Sequence, residues 1–257
     1  MDLASPSLGA IRRTTAVDTV RARISLAVEL GMLAPGQRLP APDETARAFE
    51  VSEMSVRRAY RSLVDDGVVV RRRGNGGGTF IADAPLSGSG DGIDAYRADS
   101  AHVHALIDQR ATLEAGLAAV VAGVASARAS AEDGAAVPAA VAPAPPDRFS
   151  RLDELVALMG SVPDWAGFRE ADTAFHAELA LLAGLPGATE LHHRVSHELY
   201  AYFIPYRIDY LRASNDEHAL LVDALRAGDP ARASRLAFDH VAELHDSMYV
   251  GLPHPPH

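Results

Sequence analysis

Asp172 and His176 lie four residues apart in FREADTAFHAELALLAG, where the apolar spacing predicts a helix, so the two side chains share a face. Taken alone, such a pair reads more readily as a surface contact than as a ligand set. The stretch 213–244 changes its weight. Gly228 and Asp229 mark a tight turn between two helical segments, with Asp229 as N-cap and Pro230 in the first helical position. His218 lies 10 residues before Gly228 and His240 lies 11 after Asp229. At about 1.5 Å per residue both stand roughly 15 Å from the turn and can face each other across an antiparallel hairpin. Their neighbours Leu221, Val222, Leu236 and Val241 are apolar, so both rings are expected to point inward. A buried imidazole without a partner is costly. Three imidazoles and one carboxylate satisfy one another through a divalent cation, and this set suits zinc first, with nickel, iron and manganese as alternatives. The chain has no cysteine, so thiolate ligation is excluded. Four protein ligands leave one or two positions for water or for an effector carboxylate. The same open position could activate water in a metalloenzyme, but no general base stands out beside it.

Other residues compete for a role. His192, His193 and His197 include a further i,i+4 pair (193/197), without a second helix carrying matching histidines. They are an alternative metal pair or pocket lining. His102, His104, His245, His254 and His257 read as surface or tail residues. Tyr200, Tyr202, Tyr206 and Arg207 either line an effector pocket or pack a core and a dimer interface.

These residues need helices to position them, and the second part of the chain supplies little else. Helices are expected near 100–128, 149–159, 164–183, 187–211, 215–227 and 230–248, with Ser214 and Glu217 as a capping box. The Ala/Pro-rich stretch 130–147 reads as a long flexible insertion, and 83–97 as an interdomain linker. The first part differs. A helix is expected over 14–33, a second from Pro42 to about Phe49, and a third from Glu53 to Asp66 capped by Ser52. VVVRRR at 68–73 and GTFIA at 78–82 then read as a β-hairpin, turned by Gly74-Asn75-Gly76-Gly77. Helix, turn, helix and hairpin is the order of a winged helix-turn-helix, in which a helix fits the major groove of DNA.

Composition sets limits on this picture. The 257 residues suffice for two ordinary domains: 11–82, and 98–250 as an all-α bundle. The fold class is therefore mainly α. No run of 18 apolar residues suggests a membrane span and no signal-peptide pattern opens the chain, so a reducing cytoplasm is expected. The formal charge of −10 argues against a nucleic-acid partner until its distribution is seen. Residues 11–82 hold 12 arginines against 8 acids, and the remainder 12 against 26. Only the first domain could face phosphates.

Residues 30–81 resemble the GntR family of transcription regulators. The matching positions are Gly31, Leu33, Pro35, Gly36, Leu39 and Pro40, then Val51, Ser52, Val56, Arg57 and Ala59, then Asp66, Gly67, Gly76, Gly78, Thr79 and Phe80. The resemblance implies a double-stranded, palindromic operator as partner, bound by a homodimer. It places Ser52, Ser55 and Arg57 at phosphates or base edges, Arg38 and Arg58 at phosphates, and Gly76 and Gly77 at a wing tip in the minor groove. Two positions depart from the family: Asp43 and Glu53 stand where arginine is usual. A different operator or weaker binding is therefore expected, with Arg58, Arg71, Arg72 and Arg73 as compensation.

Residues 100–248 resemble the FCD ligand-binding domain of the FadR branch of that family. The marks are Arg110 and Glu114, Asp172, Phe175 and His176, Glu217 and His218, Gly228 and Asp229, and His240. The resemblance implies that Asp172, His176, His218 and His240 hold the metal and that Arg110 approaches an effector carboxylate, joined in our reading by Tyr206 and Arg207. An exposed i,i+4 pair with Glu114 is the alternative for Arg110. The function implied is a transcription regulator, expected to be a repressor, whose operator binding is controlled by a small organic acid. A DNA-binding dimer with a metal-free helical domain is the alternative.

Overall fold

The computed structural model describes residues 15–74, 76–84, 100–133 and 148–247. Most of the expected linker and of the expected insertion lies outside them, as does Asn75. The chain divides into two compact units, Met1–Gly92 and Ile93–His257.

In the first unit, α1 (Ala16–Glu29) opens on a capping box. Thr15 Oγ1 accepts the Asp18 N–H at 3.2 Å, and Asp18 Oδ2 accepts the Thr15 N–H at 3.3 Å. Next come α2 (Pro42–Ala48) and α3 (Glu53–Asp65), the latter capped by Ser52, whose Oγ accepts from Ser55 N at 3.1 Å. The strands β1 (Val69–Arg72) and β2 (Gly78–Ile81) pair antiparallel, Val69 opposite Ile81 and Arg72 opposite Gly78. The segment 36–39 closes the other edge of β2: Leu39 N donates to Thr79 O at 2.8 Å and Ile81 N to Gln37 O at 2.9 Å. Val20, Ile24, Leu33, Val56, Leu63 and Ile81 form the core. Within it the Thr45 and Tyr60 hydroxyls meet at 2.7 Å, and Tyr60 also donates to the Pro40 carbonyl at 3.1 Å. This satisfied polar pair fixes α2 against α3.

Every regular element among the described residues of the second unit is a helix. The unit comprises α4 (Ser100–Asp133), α5 (Ser150–Ser161), α6 (Trp165–Leu182), α7 (Ala188–Tyr200), α8 (Ile208–Arg226), α9 (Pro230–Ala242) and the short α10 (Leu244–Ser247). The central helix is α4, which packs on α6, α7, α8 and, most extensively, α9. Its stretch Ala101–Ala127 is long and apolar enough to cross a membrane by composition alone. Its buried Arg110 and Glu114, and the helices packed around it, make it the core helix of this bundle instead.

The helix boundaries between 187 and 227 differ from expectation. α7 stops at Tyr200, and α8 begins at Ile208 and runs unbroken to Arg226. Pro205, which has no N–H to donate, lies in the break. Ser214 is therefore interior to α8, where its hydroxyl donates back to the Leu211 carbonyl at 2.8 Å and caps nothing. The α8–α9 turn is formed as expected: Gly228 has φ +64°, and Asp229 Oδ1 accepts from Arg232 N at 3.0 Å.

At Gly228 an added Cβ would stand 3.0 Å from the backbone of Ser126 on α4. Gly228→Ala combines that crowding with a left-handed conformation, and a loss of about 1–3 kcal/mol is expected. Chemical denaturation measures it; a midpoint equal to wild type would show that the turn tolerates a side chain.

Candidate functional site

Glu114 is the hub of the helical unit. It lies one turn after Arg110 on α4; it is 0% exposed and Arg110 is 2% exposed. Arg110 Nε donates to Glu114 Oε1 at 2.7 Å. His176 Nδ1 on α6 meets Glu114 Oε2 at 2.6 Å, and His192 Nε2 on α7 meets Oε1 at 2.9 Å. Burial opposes the carboxylate's charge, but Arg110 and His176 outweigh it and hold the carboxyl well below its ordinary range. The expected pairing of Arg110 with Glu114 is present, but as a buried pair rather than an exposed one. Both residues fall on the buried phase of α4 with Ile107, Ala111, Leu117 and Val121, a periodicity present in the sequence.

The hydrogen bond to Glu114 fixes the His176 ring so that its other nitrogen faces the four-residue cluster. His176 Nε2 stands 3.4 Å from His218 Nε2 and 3.5 Å from Asp172 Oδ1, and the third edge, His218 Nε2 to Asp172 Oδ1, is 3.4 Å. His240 joins them: one ligand atom from each of the four residues lies within 4.8 Å of the others. Its Nδ1 meets Glu217 Oε2 at 2.6 Å. His176 and His240 thus each have a carboxylate on Nδ1, the arrangement that orients metal-binding imidazoles. His218 Nδ1 is buried with no hydrogen-bond partner among the described residues.

The electrostatics divide the three rings. Burial, reinforced by His240, pushes His218 down to about 4, so it is a neutral imidazole with a free lone pair. For His176 burial acts downward too, but the carboxylates of Glu114 and Asp172 outweigh it and raise the ring above its ordinary value. Asp172 is held well below the usual carboxylate range: its burial acts the other way, and His176 and His218 overcome it.

Beside the four residues lies a cavity of about 100 Å³, lined among others by Arg110, Arg169, Asp172, Tyr200, Phe203 and Tyr206. The Tyr200 hydroxyl donates to Asp172 Oδ2 at 3.2 Å, and burial pushes its ionisation up to about 12. The Arg169 and Arg110 guanidinium carbons lie 3.3 and 4.9 Å from the Tyr200 ring centroid. The Phe203 ring lies 6.2 Å from that of Trp165, a buried side chain at the start of α6.

Arg110 and Tyr206 therefore border the cavity. Arg207 does not: it is exposed and closes an ion pair with Asp209 at 2.6 Å, turned outward by the irregular segment that replaces the expected helix. His193 and His197 are exposed on α7, their rings 5.9 Å apart. It is His192, in phase with Val195, Ser196 and Leu199, that is buried. Sequence reasoning groups His192 with His193 and His197 without separating the buried ring from the exposed pair, and it passes over Glu114 as an orienting group and Arg169. His104 and His245 are half-buried rather than surface residues, Nδ1 to Nδ1 at 2.6 Å, with His245 Nε2 on Asp108 at 2.9 Å.

In the first unit Ser52 and Ser55 join their hydroxyls at 2.8 Å at the start of α3. Arg38, Arg57 and Arg58 are exposed. Arg57 is held by Glu53 through Nε at 2.8 Å. At the hairpin turn Gly77 N donates to Gly74 O at 2.9 Å, and a Cβ on Gly77 would stand 2.7 Å from the Arg72 carbonyl. Gly76 has φ +81°. Both glycines are thus required by the turn itself, whatever the tip touches.

Residues 16–81 match the family model for bacterial regulatory proteins of the gntR family, and residues 132–243 match the FCD domain model. A Mycobacterium gastri protein named as the HTH-type transcriptional regulator RmpR is 29% identical over 231 residues, covering 87% of this chain and 77% of its own length. A protein of Escherichia coli K12, named as an L-lactate dehydrogenase operon regulatory protein, is 28% identical over 240 residues, covering 90% and 85%. The histidine utilization repressor of Klebsiella aerogenes is 36% identical over 66 residues, covering 26% and 27%. These relatives are transcription regulators, not enzymes.

Glu114→Gln removes the charge that offsets Arg110 while keeping the side chain's shape. Breaking one partner of a buried pair costs about 3–5 kcal/mol, and a loss of that order is expected in denaturant titration. A loss below about 0.5 kcal/mol, the size of an exposed pair, would contradict the hub.

Proposed function

We propose that this chain, which belongs to the gntR family of bacterial regulatory proteins and carries an FCD domain, is a homodimeric repressor whose grip on DNA is set by a small organic acid bound at a divalent cation. The observation that carries the metal is the triangle of His176 Nε2, His218 Nε2 and Asp172 Oδ1, with edges of 3.4, 3.4 and 3.5 Å. A tetrahedral centre with bonds of about 2.0–2.1 Å has edges of roughly 3.3–3.4 Å, so these atoms already stand at zinc spacing. Two buried imidazole nitrogens facing each other and one carboxylate oxygen at the cavity's edge are a donor set that calls for a cation. His240 would supply the fourth ligand; Glu114 and Glu217 would hold the rings of His176 and His240. Nickel, iron and manganese fit the same donors.

A bound cation supplies a Lewis-acidic seat for a carboxylate oxygen. The residues around that seat fit such a guest: Arg110 contributes positive charge, Tyr200 keeps its proton and can donate it, and Tyr206 with Phe203 forms an apolar wall. One relative is named for an L-lactate dehydrogenase operon. A 2-hydroxy acid of that kind would offer the cation a carboxylate and an adjacent hydroxyl. For the first domain, Ser52, Ser55, Arg57 and Arg58 on α3 and Arg38 beside the wing are the groups we assign to DNA. A twofold dimer pairs with a palindromic operator. The place of action is the bacterial cytoplasm, where the chromosome is.

Zinc titration of metal-stripped protein is expected to give tight one-site binding that weakens from pH 8 to pH 5. The sign follows from the rings: a protonated imidazole rejects a cation, and His176, held above its ordinary value, takes a proton before His218, held below it, as pH falls. His218→Ala should abolish tight binding. Constant affinity across that range, or full affinity in His218→Ala, would remove the metal reading. Operator fragments recovered by selection from random duplexes test the second half. At least one member of a panel of small hydroxy acids and dicarboxylates should change operator affinity, about tenfold, in the metal-loaded protein and not after chelation. No change with any acid would leave a regulator without this sensor.

A further inference from the structure

The acidic residues at the expected DNA contacts of the first unit each hold an arginine of their own helix. Glu53 bonds Arg57 through both Nε and Nη2, at 2.8 and 2.5 Å, and Asp43 pairs with Arg47 at 3.4 Å. Three other arginines, Arg38, Arg61 and Arg71, have no carboxylate partner among the described residues, and the fold turns all three into one concavity. It has a volume of about 290 Å³, and its walls include Arg38, Arg57, Tyr60, Arg61, Arg71 and Thr79.

The backbone dictates this gathering. Arg61 follows Arg57 by four residues, so both lie on one face of α3. Arg71 stands directly opposite Thr79 in the β1–β2 register, so those two side chains leave the hairpin on one face. Arg38 precedes Leu39, whose N–H is bonded to the Thr79 carbonyl, and this ties it to the edge of β2 away from β1. The neighbouring Gly78 leaves room for it: a Cβ there would stand 2.9 Å from Arg38 Nε. Three guanidiniums converging without a carboxylate repel one another, and a concave wall strengthens the field they share. An anion with several oxygens relieves that repulsion, and the planar forks of arginine match phosphate.

We propose that this cleft at the base of the wing is a phosphodiester seat, in which Arg38, Arg61 and Arg71 grip the DNA backbone. It rests on the DNA-binding reading above and extends it: of the three, Arg38 alone is a phosphate contact in the family resemblance, and Arg61 has no assigned role there. The seat moves the electrostatic grip from the acidic start of α3 to its C-terminal half and the wing.

The test is fluorescence anisotropy of the full chain with a duplex of about 30 base pairs of arbitrary sequence, across roughly 50 to 200 mM salt. Arg61→Ala and Arg71→Ala should each flatten the slope of log affinity against log salt by about 1, with the same fold-loss on every duplex sequence. Arg61→Lys should keep the slope, since a phosphate contact needs charge first. Arg47→Ala, which removes an arginine outside the cleft, should leave it unchanged. Circular dichroism and melting identify any variant that fails to fold, and Arg61→Gln replaces Arg61→Ala in that event. A steep slope in wild type that persists undiminished in folded Arg61 and Arg71 variants overturns the seat while leaving DNA binding intact. A wild-type chain that binds no duplex overturns both.

Discussion

A carboxylate with no exposed surface is what the helical domain depends on. An isolated charge in a protein interior carries a desolvation penalty of several kcal/mol, and Glu114 offsets it with three partners from three helices: Arg110 on its own helix, His176 on α6 and His192 on α7. Each partner is itself costly to bury alone. The four groups are stable inside only together, and that mutual need fixes how α4, α6 and α7 are rotated about their axes. The orientation of His176, and with it the triangle of ligand atoms, is a consequence of that rotation. Tyr200, bonded to Asp172 and covered by two guanidiniums, extends the same network into the cavity wall.

The spacing of His218 and His240 about the Gly228–Asp229 turn is enough to foresee their meeting, because helix rise is constant and the turn is marked by chemistry that few other structures require. Asp172 and His176 are placed on one face by their spacing alone. What spacing does not convey is burial depth. Arg110 and Glu114 look like a solvated pair until their phase is compared with the apolar residues around them. The break at 201–207 escapes a reading by periodicity because Tyr200 to Leu211 is apolar enough to continue a helical pattern, and one proline, Pro205, outweighs that pattern. The same continuity makes Ser214 look like a helix start. In the first domain the order of elements is legible from caps and glycines, since Ser52, Gly67 and Gly77 each answer a local backbone requirement.

The two halves solve opposite electrostatic problems. The helical unit buries charge and must neutralise it within a few ångströms. The winged unit displays charge and must keep part of it uncompensated. The positions of two of its acids serve that end. Glu53 and Asp43 lie in the first turns of their helices, where negative charge complements the helix dipole, and each engages an arginine one turn on. Stability of the helix starts and restraint of nearby cations thus come from the same two side chains. Sequence comparison alone records them only as departures from a pattern.

Trp165 is the one tryptophan in the chain. It is buried at the start of α6, and its ring lies 6.2 Å from Phe203, which borders the cavity beside the four-residue cluster. Its indole emission therefore comes from a single, dry environment, one aromatic neighbour away from the place where a guest would sit. The protein carries an intrinsic optical reporter, so occupancy of the cavity can be followed in unlabelled material, in real time.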